Sequence, residues 1–125
     1  MAKTEKRKKS LKLPKQLELA IRAAESKQAT GMLVLDLENA ASFTDFFLIC
    51  SGSNTRQIRA IADAIADTLA EEGVKPAHLE GYDRSEWILL DYFDFVVHVF
   101  SPEMRTFYDL ERLWGNAERI VIGPA

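Results

Sequence analysis

"DFFLICSGSNTRQIRAIADAI", residues 45–65, decides the fold. Phe46 to Cys50 is an unbroken apolar run flanked by Asp45 and Ser51. A strand with one wet face would alternate, so this run predicts a central strand covered on both faces. Beyond it, Ile58, Ile61, Ile65 and Leu69 fall at i, i+3, i+7 and i+11, one stripe of an amphipathic helix. Asn54 with Gln57 three residues later resembles a capping box, and Gly73 ends the helix. A buried strand running through a Gly-Ser turn into a helix places the chain in the α/β class.

The same turn raises a chemical question, because backbone N–H groups at a helix N-terminus can hold a phosphate. A dinucleotide fingerprint needs three glycines and a P-loop needs Gly-Lys-Ser/Thr; this stretch has one glycine and no lysine. A nucleotidyl-transfer site also uses Gly-Ser, but it needs clustered carboxylates to hold Mg²⁺. Asp36 and Glu38 lie two apart on a predicted strand and share a face, although they precede the turn instead of following it. A metal-dependent nucleotidyltransferase using that pair is therefore the alternative reading. The plainer one is that Gly52 makes the turn and Ser53 or Asn54 caps the helix. His78, His98 and the lone Cys50 match no zinc spacing, and there is no Gly-x-Ser-x-Gly elbow. Cys50 reads as a small buried hydrophobe. No enzyme is expected, and no cofactor or metal.

Outward from this centre, Pro14 opens a first helix, with Leu17, Ile21 and Ala24 as its apolar stripe to about Lys27. Gly31 precedes a strand, "MLVLDL", and "ENAASFT" forms a loop. A short strand is expected near Ala77–Leu79. "EWILLDYFDFVVHVF", residues 86–100, forms two strands with a turn at Phe93–Asp94. Ser101 and Pro102 suit the N-cap and first position of a last helix, in which Phe107, Leu110 and Trp114 make a core stripe before Gly115. The order α-β-β-α-(β)-β-β-α predicts a mixed sheet of about five strands flanked by helices.

Charge divides the chain. Seven of the sixteen Lys and Arg, but one of the nineteen Asp and Glu, fall in residues 1–15. Residues 1–14 are read as a flexible basic arm, either simply solvated or touching RNA phosphates, 15–116 as one acidic domain, and 117–125 as a tail. The arm lacks the apolar stretch of a secretory signal.

In the hairpin, a two-residue turn pairs 92 with 95, 90 with 97 and 88 with 99. One face then carries Ile88, Leu90, Tyr92, Phe95, Val97 and Val99, a core face. The other carries Trp87, Leu89, Asp91, Val96, His98 and Phe100. Two readings stand for this second face. It is either a further packing layer under a helix, or a docking surface with Trp87 as anchor, His98 within it, Tyr108 at its rim, and Asp91 meeting a basic partner.

"FTDFFLICSGSNTRQIRAIADAI" followed by "EGYDRSEWILLDYFDFVVHVFSPEMRTFYDLERLW" closely resembles the Iojap-like ribosomal silencing factor family, RsfS, from about residue 15 to 114. The resemblance implies a fold like that of nucleotidyltransferases without their active site. It implies a cytoplasmic protein that binds protein fourteen of the large ribosomal subunit (uL14 class). There it would block joining of the small subunit and lower translation under nutrient limitation. It implies Trp87, Tyr92 and Tyr108 as contact residues and a homodimer when free; because ribosomal proteins tend to be basic, Asp91, Asp94, Glu103 and Glu111 are the acidic candidates around those anchors. The chain departs from the family at Phe93, where glycine is expected; a bulky residue disfavours φ > 0 and argues for a turn wider than two residues.

Overall fold

A computed structural model describes residues 13–122. Helix α1 (Lys15–Ser26) leads into strands β1 (Thr30–Asp36) and β2 (Phe46–Ser51). Helix α2 (Thr55–Glu71) precedes β3 (His78–Glu80), β4 (Trp87–Asp91) and β5 (Phe95–Phe100). Two short helices, α3 (Pro102–Tyr108) and α4 (Leu110–Leu113), and strand β6 (Glu118–Val121) complete the order. The sheet runs β3-β4-β5-β2-β1-β6, parallel only between β2 and β5. It has six strands where the sequence suggests about five. The addition is β6, which pairs with β1 inside the segment read as a tail. Four residues with one buried apolar side chain, Ile120, carry too little alternation to announce a strand.

The run at 46–50 explains the centre of this order. Every residue of β2 is buried, with helices on one side and a second cluster on the other. The larger core gathers Leu17, Ile21 and Ala24 of α1 and the Ile58–Leu69 stripe of α2 over Val34, Leu48, Cys50, Val97 and Val99. Each such Ile or Leu contributes roughly 1.5–3 kcal/mol by leaving water. The smaller core, on the opposite face, holds Leu35, Phe47, Ile49, Val96, Phe100 and Leu110.

Gly52 serves a different purpose from the expected turn geometry. A Cβ there would stand 2.9 Å from Ile58 Cγ1, so glycine is what lets α2 start hard against the sheet. Asn54 Oδ1 accepts from Gln57 N at 2.8 Å, as the capping pattern predicts. Gln57 Oε1 in turn accepts from Ser53 N at 2.7 Å, and its Nε2 donates to the Lys27 and Gln28 carbonyls that close α1. One side chain thus ties the turn, α2 and the end of α1 together.

The hairpin has the predicted register: Leu90 pairs with Val97, Ile88 with Val99, and Tyr92 N donates to Phe95 O at 2.9 Å. The wider turn suggested by Phe93 does not occur. Phe93 takes φ +70° within a two-residue turn, held there by three contacts. Its N–H donates to Asp91 Oδ1, its carbonyl accepts from Thr44 Oγ1 at 2.7 Å, and the Asp94 carbonyl accepts from Asp45 N. Left-handed backbone costs a non-glycine residue about 1–2 kcal/mol, and the Phe93 ring is largely exposed. Phe93→Gly is therefore expected to raise unfolding free energy by up to about 1 kcal/mol, read from the urea midpoint. A lower midpoint would mean that the ring's contacts outweigh the strain.

Candidate partner-docking surface

The second face of the hairpin is where both readings of the sequence meet. Trp87 is half-buried and stacks on its cross-strand neighbour Phe100, ring centroids 4.9 Å apart and 29° between planes. Tyr108, at the end of α3, lies 4.5 Å from the Trp87 ring, and Phe107 meets Tyr108 edge-on at 4.9 Å. Trp87 Nε1 donates to Nδ1 of His98 at 3.1 Å, from two residues along the same face of the sheet. The inner part of this face is thus a packing layer, while its outer part is open aromatic surface.

The core stripe expected in the last helix is broken. Asp109 takes the left-handed conformation (φ 47°, ψ 58°), which a short polar side chain tolerates, and separates α3 from α4. Leu110 keeps its place in the smaller core, but Phe107 is 75% exposed and Tyr108 45%. Arg105 bridges the break, its guanidinium donating to Glu111 Oε2 at 2.9 Å and, through Nη1, to Ser51 Oγ at 3.0 Å. Phe107 is thus a surface aromatic that periodicity assigned to the core. The only local hint is an aspartate inside the apparent helix.

The predicted site residues separate into three groups. Trp87 and Tyr108 are together and accessible in part. Asp91 and Asp94 lie at the turn end of the hairpin; Asp91 is four residues from Trp87 along β4, or about 13 Å. Asp91 also supports the turn through Phe93 N, whereas Asp94 is exposed. Tyr92, His98 and Glu111 do not present themselves. Tyr92 is 7% exposed in the larger core, as its strand parity requires, and burial pushes its phenol up to about 12. His98 is 3% exposed, and burial pushes its imidazole down to about 3. Glu111 is taken up by Arg105. Glu103 is exposed in the first turn of α3.

The Gly-Ser turn and the carboxylate pair lie apart. Asp36 pairs with Phe46 at one end of β2, and Ser51, which leads into the turn, is at the other, about 17 Å away. Glu38 lies beyond the end of β1; its N–H donates to Asp36 Oδ1, and its carboxyl is raised chiefly by the Asp36 charge. At the turn, Gly52 N already donates to Phe100 O, Ser53 N to Gln57 and Gln57 N to Asn54. These amides close the strand–helix junction. Cys50 is buried, and desolvation pushes its thiol up to about 12, away from nucleophilic use.

These groups are carried by a mixed six-stranded sheet flanked by helices, with one aromatic, partly open face. The family model "Ribosomal silencing factor during starvation" matches residues 10–124, and the chain belongs to that family. The ribosomal silencing factor RsfS of Bacillus subtilis is 43% identical over 101 residues, covering 81% of this chain and 86% of that protein. The chloroplastic protein Iojap of maize is 37% identical over 99 residues, 79% of this chain and 43% of its own length. A crystal structure of a Chromobacterium violaceum protein superposes with a TM-score of 0.78 at 34% identity, covering 88% of each chain.

Proposed function

We propose that this protein silences ribosomes by steric occlusion: it docks on protein fourteen of the large subunit (uL14 class) and covers the surface on which the small subunit would join, under nutrient limitation in the cytoplasm. The observation that carries the reading is the aromatic surface of Trp87, Tyr108 and Phe107. Aromatic anchors of this kind dominate protein interfaces, and a standard interface needs only about 800 Å² on each partner. Family membership supplies the ribosome as the partner. The basic arm lies outside the described residues; its place in the reading is a salt-dependent contact with rRNA phosphates. Homodimerisation of the free protein belongs to the same proposal.

The test is co-sedimentation with separated ribosomal subunits, without nucleotide. Binding to the large subunit alone, together with loss of subunit joining, is expected; binding to neither would end the reading. Removing residues 1–12 should weaken the interaction, most at low salt, without abolishing it.

Ribosomal proteins tend to be basic, so acidic groups near the anchors speed encounter. Asp91→Lys would confound charge with loss of the Phe93 N–H acceptor, whereas Asp94 is exposed and gives the cleaner reversal. Asp94→Lys should lower the association rate about two- to tenfold at low salt, with the difference shrinking above about 0.3 M as charges are screened. An unaltered rate at every salt concentration would place the turn away from the partner.

A further inference from the structure

The residue at position 98 is out of character for its strand. Phe95, Val96, Val97, Val99 and Phe100 are all apolar and buried, and among them stands an imidazole that is almost wholly out of water. Trp87 donates to its Nδ1, so the ring's own proton sits on Nε2, where no hydrogen-bond partner among the described residues meets it. Phe47 packs against the imidazole at 4.4 Å, so the surroundings would welcome an apolar side chain. A phenylalanine or leucine would fill the place with no Nε2–H of its own to strand. What neither would supply is an acceptor for the indole.

We infer that His98 is the positioning residue of the docking surface: it holds the Trp87 indole with its N–H turned into the sheet, so that the accessible remainder of the ring is hydrocarbon and the matching patch on the partner is apolar. The inference rests on the docking function proposed above. An indole N–H facing outward would have to find an acceptor on the partner or lose its bond to water on docking. Satisfied from within, it makes no such demand. Phe100 at 4.9 Å and Tyr108 at 4.5 Å fix the ring's remaining freedom, so the anchor is ordered before the partner arrives. Burial keeps the imidazole neutral, and the acceptor is therefore present throughout the cellular pH range.

The experiment combines binding with an observation of the indole itself, on the full chain. In His98→Phe, the Trp87 indole N–H should exchange with water at least about tenfold faster by ¹H–¹⁵N NMR, with Trp114 as internal reference. Affinity for isolated large subunits should fall about tenfold. His98→Gln, which retains an acceptor, should recover part of both losses. In a Trp87→Phe background, which keeps an apolar ring without the N–H, His98→Phe should change affinity less than about twofold. Should phenylalanine not be accommodated, His98→Leu removes the acceptor with less volume and serves the same cycle. Unchanged affinity in the acceptor-free variant, or an equal loss in both backgrounds, would overturn the inference while leaving the docking function standing. Failure of the wild-type protein to bind large subunits would remove both.

Discussion

Trp87→Ala should weaken binding to the large ribosomal subunit by more than about 1 kcal/mol, at least about fivefold in Kd. The size follows from where the indole sits. It is the one predicted contact residue that is both partly open and fixed on several sides, by Phe100, Tyr108 and the His98 acceptor. Truncation removes the anchor's area and frees Tyr108 to move. It also leaves Nδ1 of His98 without its donor, so some loss of stability accompanies the loss of affinity. The thermal midpoint must therefore be measured beside the Kd, and binding compared well below the midpoint of the variant. Phe107→Ala provides the contrast. That ring is more exposed, yet its aromatic neighbour is Tyr108 alone, and its removal should cost less. A Kd for Trp87→Ala within twofold of the wild type would take the hairpin face out of the interface.

Much of this arrangement is legible in the chain because it rests on strong periodic signals. The all-apolar 46–50 run, short and followed at once by a Gly-Ser turn, has the signature of a doubly covered strand, and the isoleucine stripe of α2 gives the helix one face to lay on it. Parity in the hairpin assigns one face to a core, including the burial of Tyr92 that the family resemblance placed near the partner, and leaves the other face open between packing and docking. What could not be read depends on single residues adopting backbone that their type disfavours. Phe93 at φ +70° keeps a tight turn only because Asp91 and Thr44, the latter 49 positions away, hold its backbone. Asp109 in the left-handed region breaks an otherwise well-patterned helix and turns Phe107 outward. The Arg105–Glu111 clasp across that break is likewise invisible without the break itself. The Gly-Ser turn was ambiguous for another reason: whether amides are available depends on side chains, here Gln57 and Asn54, whose reach the sequence only suggests.

Acid should destabilise the fold through His98, and the window is set by its displaced pKa. Above pH 6.5 the imidazole is neutral in both the folded and the unfolded chain, and the full stability is present. Below pH 6.5 the unfolded chain takes up a proton that the buried ring refuses until about pH 3. The unfolded state then binds more protons, so stability falls with falling pH across that interval. The slope is up to about 1.4 kcal/mol per pH unit, which amounts to about 2 kcal/mol by pH 5 and on the order of 4 kcal/mol by pH 3. The upper part of the interval is the informative one, because ordinary carboxylates have scarcely begun to titrate at pH 5. Urea unfolding at several pH values between 7 and 5 should show the decline in the wild-type protein. His98→Phe should remove most of it, since a phenyl ring has no proton to gain in either state. It should also match or exceed the wild-type stability at pH 5, because it escapes the protonation penalty and the orphaned Nε2–H it removes offsets the indole N–H it leaves without an acceptor. Parallel slopes for the two proteins would mean that the imidazole reaches water in the folded state, and that the Trp87 indole is held by something other than a buried, neutral acceptor.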